Sequence, residues 1–81
     1  MERGIKVYPI KEVAKNFIGQ VIETRKPHGQ FYSDSKSGGV YVAVDNTTGD
    51  AWTEEFLSKN ACKKWLKGYP VKDAHGYLLN D

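Results

Sequence analysis

Residues 40–66, VYVAVDNTTGDAWTEEFLSKNACKKWL, read in one pass as strand, tight turn, strand and helix. In Val40 to Asp45 the period of two puts Val40, Val42 and Val44 on one face and Tyr41, Ala43 and Asp45 on the other. The valines are the natural core side. Asn46 to Gly49 reverses the chain, with Gly49 as the left-handed residue of a type I turn plus bulge. In Ala51 to Phe56 the residues Trp52, Glu54 and Phe56 share a face, and the two aromatics belong with the valines. Glu54 is then an inward or peripheral carboxylate that needs a bulge or a partner.

Ser58 is a suitable N-cap for the helix that follows, and Gly68 with Pro70 a suitable stop. At about 100° per residue, Ala61, Cys62, Trp65, Leu66 and Tyr69 gather on one side. Lys59, Lys63, Lys64 and Lys67 gather on the other, which points to water. Beyond this helix, residues 70–81 are expected as a loosely docked tail, in which Tyr77, Leu78 and Leu79 dock or form a last short element.

Upstream, Ile10, Val13, Ala14 and Phe17 fall at i, i+3, i+4 and i+7, which predicts a one-faced helix with Pro9 in its first turn and Gly19 as its cap. Ile5 to Tyr8 is a candidate edge strand too short to settle. Gln20 to Arg25 has the β-branched content of a strand, Lys26-Pro27-His28-Gly29 is a turn signal, and Gln30 to Asp34 reads as the next strand. The glycines of SDSKSGG suit a loop. The expected fold is therefore α+β: a three- to four-stranded antiparallel sheet in α-β-β-β-α order, both helices on one face, forming a single domain over residues 1–81.

Eighty-one residues with 40% apolar content support a core only marginally large for its surface, with little material for a deep pocket. One cysteine excludes an intramolecular disulfide, and MERGIKVYPI lacks the apolar stretch of a secretory signal. The longest apolar run, Val40 to Val44, is far shorter than the roughly 20 residues needed to cross a bilayer. A soluble, cytoplasmic setting without membrane contact is expected, and there the sequon Asn46-Thr47-Thr48 is turn chemistry.

The net charge of +2 hides a segregation. Residues 20–57 sum to −3, from Arg25, Lys26 and Lys36 against Glu23, Asp34, Asp45, Asp50, Glu54 and Glu55. Residues 58–72 carry +5, from Lys59, Lys63, Lys64, Lys67 and Lys72 with no acid. An acidic strand region adjoins a basic helix.

Candidate chemistry is sparse. Cys62, His28 and His75 are isolated, so no metal site or cofactor is expected, and Cys62 on the packed helix face is expected to be an inert thiol. Asp45 to Asp50 superficially suggests calcium, but its glycine comes one place early and Phe56 stands where a bidentate glutamate belongs. Glu54 and Glu55 point to opposite faces and cannot form an acid/base pair with each other. With no phosphate loop or nucleophile elbow either, no enzymatic activity is expected.

Three resemblances bear on binding. The three-strand and helix order, with RKPHGQF opening and EFLSKNACKKWL closing, resembles the DNA-binding domains of plant AP2-type factors and some integrase arms. Those put a basic sheet face into the major groove, whereas here only Arg25 and Lys26 fit. The helix–β–β–β–helix order with SKNACKK also resembles double-stranded RNA-binding domains, whose helix-terminal lysines contact phosphates. Trp65 departs from that family's alanine-rich second helix. The string DNTTGDAWTEEF with its following helix is similar to small accessory proteins of Gram-positive bacterial mobile elements, over roughly residues 21 to 67. That resemblance implies a bacterial cytoplasmic protein of no assigned activity.

The leading expectation is a non-catalytic interaction module that binds a protein partner on an open sheet face through Tyr32 and Tyr41 with Asp34 and Asp45 as acidic rim. Its counter-reading is that the N-terminal segment or the tail covers that face. The alternative is nucleic-acid binding through Lys59, Lys63, Lys64 and Lys67. Self-association through an exposed edge strand is a further route.

Overall fold

The computed structural model describes residues 10–81. The candidate strand Ile5 to Tyr8 and the proposed role of Pro9 lie outside them. The chain runs β1 (Ile10–Val13), α1 (Lys15–Thr24), β2 (Gln30–Ser33), β3 (Tyr41–Asp45), β4 (Trp52–Phe56), α2 (Lys59–Leu66), β5 (Val71–Lys72) and β6 (Leu78–Leu79). The fold is a small α+β one, with a four-stranded sheet in the order β1-β2-β3-β4 and a separate β5-β6 hairpin.

The first correction concerns the N-terminal third. Ile10 to Val13 is a strand, parallel to β2, so the sheet is mixed and the order is β-α-β-β-β-α-β followed by a last short strand. The helix lies later, over the segment expected to be a strand. Ile10 and Val13 at i and i+3 suit a helix, yet they also suit a strand that reaches a core on each face. Ile10 packs into one core and Val13 into the other. A parallel neighbour requires a crossover, and α1 supplies it with Ile18 and Val21 buried one turn apart. Packing outweighs the modest strand preference of Val21, Ile22 and Thr24. Gly19 is inside this helix on its exposed side, and the left-handed residue that ends the helix is Arg25, at φ 62°.

The second correction concerns the faces. β3 pairs with β4 so that Tyr41 faces Phe56, Ala43 faces Glu54 and Asp45 faces Trp52. Directly opposed residues share a face, so Trp52 and Phe56 lie with Tyr41 and Ala43, across the sheet from the valines. The two helices divide between the faces. α1 covers Phe31 and Val44, while α2 lays Cys62 and Leu66 on Tyr32, Ala43 and Phe56. The expected arrangement, both helices on one face of a purely antiparallel sheet, is replaced by two cores back to back on a shared sheet.

Several local expectations hold. The Ser58 side chain accepts from the Ala61 N–H at 3.1 Å, Gly68 turns the chain out of α2 at φ 89°, and Gly49 has φ 88°. Asn46 is 0% exposed. Its amide donates to the Pro27 carbonyl at 3.0 Å and its Oδ1 accepts from the Ala51 N–H at 3.0 Å, while its backbone exchanges two bonds with Gly29. One side chain thus ties the β3–β4 turn to the loop that enters β2. The Arg25 guanidinium adds a second tie, donating to the Asp50 carbonyl at 2.7 Å. The tail docks. Val71 and Leu79 pack on the α2 side core, and the Asn80 amide donates to the Trp65 and Tyr69 carbonyls. Among the described residues, no helix is long and apolar enough to cross a membrane.

Candidate functional site

α2 is positioned from beneath. Cys62 and Leu66 are buried, Trp65 lies 5.8 Å from Phe56 between ring centroids, and the Gln30 amide donates to the Leu66 carbonyl at 2.6 Å. With those residues fixed, the period of 3.6 sends Lys63, Lys64 and Lys67 into solvent. Lys59, half-buried, turns over the sheet toward β1 and forms an ion pair with Glu12. The hydrogen bond that Lys59 donates to the Glu12 carboxylate raises its pKa above the ordinary lysine value, against some desolvation.

The structure brings together two groups of residues that the sequence separates. Lys63 Nζ stands 5.8 Å from the centre of the Tyr32 ring, and Lys59 Nζ stands 6.0 Å from that of Tyr41. Lys36, from the glycine-rich loop, reaches the same Tyr41 ring at 5.8 Å. These are cation–π distances, and they seat ammonium groups over electron-rich faces. Tyr32 is buried beneath α2 and Tyr41 half-buried, so the face expected to be open is covered by the chain's own lysine helix. Asp45 is half-buried too, with Oδ1 accepting from the Thr47 backbone and hydroxyl and Oδ2 from Gln30. Asp34 is exposed just past β2, and its N–H donates to the Val13 carbonyl. Sequence reasoning missed Lys36, because nothing in SDSKSGG tells where that loop folds back.

The other edge of the sheet has the opposite sign. Glu54 is half-buried, and its pKa is raised by desolvation first, then by Asp73 and Glu55, with His75 opposing. His75 Nε2 lies 3.3 Å from Glu55 Oε1, and both side chains are exposed. The nearly buried Asp73 accepts from the His75 and Tyr77 N–H groups through one oxygen, which shapes the β5–β6 turn. Glu54 and Glu55 take opposite faces as expected, and the acid that Glu54 meets comes from the tail.

Burial pushes the Cys62 thiol up to about 11, which makes it a poor nucleophile at neutral pH. Among the described residues, no group of three or more His, Cys, Asp or Glu side chains is arranged to hold a metal ion. Arg25 is engaged by the β3–β4 turn carbonyls rather than presented from the sheet. No protein-family model, curated protein or solved structure matches this chain.

Proposed function

We propose that the protein is a non-catalytic binding module whose α2 side contacts the phosphate backbone of a nucleic acid through Lys36, Lys63, Lys64 and Lys67. One observation carries this reading: five lysines converge on one side of the molecule, and among the described residues only Lys59 has a carboxylate partner. Clustered ammonium groups without counter-charges form the electrostatic footprint of a polyanion site. The helix is anchored from below by Cys62, Leu66 and Gln30, so the charges are presented on a fixed frame. A protein partner on Tyr32 and Tyr41 has less to hold, because Tyr32 is buried beneath α2 and Tyr41 is half-buried.

Titration of 15N-labelled protein with duplex DNA and duplex RNA at low salt tests the proposal. Amide shifts are expected along residues 59–67 and around Lys36. Each lysine that neutralises a phosphate releases condensed counterions, so replacing Lys63, Lys64 and Lys67 by alanine should reduce the slope of log K against log salt by about 2 to 3 on duplex DNA. An absence of shifts along α2 with both duplexes would overturn it.

A further inference from the structure

At the edge of the sheet remote from β1, β4 has no further strand beside it among the described residues, and the tail's backbone meets it at Glu55 alone. Ala74 donates to the Glu55 carbonyl at 2.8 Å, so Glu55 turns its backbone groups away from β3. Antiparallel alternation gives Thr53 the same outward aspect. Facing outward from an edge strand, the Thr53 N–H and C=O and the Glu55 N–H have no ladder partner in β3, and no turn or loop bond reaches them among the described residues. Beside them stands Trp52, 65% exposed, an unusual state for the largest apolar side chain and one that suits an anchor for a bound segment.

We propose that this edge accepts an extended, basic peptide segment of a partner protein, which adds to the sheet as a fifth strand alongside β4. Strand addition takes its affinity from main-chain bonds and its specificity from alternate side chains. Here those alternate positions present Glu54 on the Trp52 face and Glu55 on the other, with Asp50 and Asp73 nearby in the chain and the hairpin. Among the described residues, His75 is the one basic group paired with a carboxylate of this edge. Charge complementarity therefore selects lysine- or arginine-bearing strands. It also disfavours a second copy joined β4 to β4, which would bring a second Glu54 and Glu55 alongside the first pair, like charge beside like charge.

The probe is a capped heptapeptide alternating lysine and valine. Its controls are the glutamate–valine counterpart and a lysine–valine version N-methylated at alternate amides, added to the labelled full chain. The lysine peptide is expected to shift the Thr53 and Glu55 amides and slow their hydrogen exchange, while the other two leave them unmoved. Thr53→Pro removes an outward N–H without touching the β3 ladder and should weaken binding about tenfold or more. Because that variant can also disturb β4, a paired E54Q/E55Q variant is measured too, with an expected loss of about three- to tenfold, greatest at low salt. Equal binding of the N-methylated peptide, shifts confined to α2, no binding at all, or wild-type dimers joined through β4 would each overturn the proposal.

Discussion

The two faces of the sheet are built to different standards. Under α1 the core is Ile18, Val21, Phe31 and Val44, with Val13, Phe17, Val42 and Ala51 closing around it, and Phe17 meets Phe31 edge-on at 5.2 Å. Under α2 the apolar centre of Tyr32, Ala43, Phe56, Cys62 and Leu66 shares its face with Glu12, Gln30, Asp45 and Glu54. Polar groups in such a place cost desolvation and are retained where they find partners. Glu12 finds Lys59, and Gln30 joins Asp45 to the end of α2. The α1 side holds the chain together; the α2 side supports a charged, outward-facing helix.

Breaking the α1 side should therefore have the largest effect on stability. Phe31→Ala removes a buried ring from that core and is expected to cost about 3–5 kcal/mol, enough to unfold much of a domain this small, as measured by urea denaturation. Next comes the clamp between the loops. Asn46→Ala leaves the Pro27 carbonyl and the Ala51 N–H without their partner, for an expected loss of about 2–3 kcal/mol in the same assay. A gain is available on α1 itself. A Cβ at Gly19 would meet nothing within 4 Å, so Gly19→Ala should stabilise by about 0.5–1 kcal/mol, read from the shift of the urea midpoint.

The smallest effect belongs to the α2 side and concerns pH. The folded state raises the pKa of Glu54, so its contribution is most favourable below the unfolded carboxylate value and is lost as pH rises through the folded one. Glu54→Gln should therefore flatten the upper part of that window. The variant is expected to be more stable than the parent at neutral pH and to lose that advantage at acidic pH, as shown by urea midpoints from pH 4 to 7.

What was legible in the sequence was local. The β2–β3–β4 meander, the Ser58 cap, the Gly49 turn and the lysine side of α2 all follow from neighbours a few residues apart. β1 was illegible because a four-residue strand that sends one apolar residue to each core has no single apolar side. Its partner β2 also begins some twenty residues later in the chain. The valine face was correctly separated from the tyrosine face. Which helix would cover which face depends on the crossover, and no residue pattern within β3 encodes it. For the candidate site, the ammonium groups were visible, but the tyrosines beneath them and the approach of Lys36 depend on tertiary placement.

Two cores that share one wall have a mechanical consequence. β2 sends Phe31 to one side and Tyr32 to the other, and β3 does the same with Val44 and Ala43. Neither half can melt without stripping the packing from one face of the same two strands, so the halves are not independent folding units. The central amides of β2 and β3 are therefore expected to exchange their hydrogens last, through global unfolding. A ligand held by α2 would then slow exchange in the β-strands beneath α1, on a face it never touches.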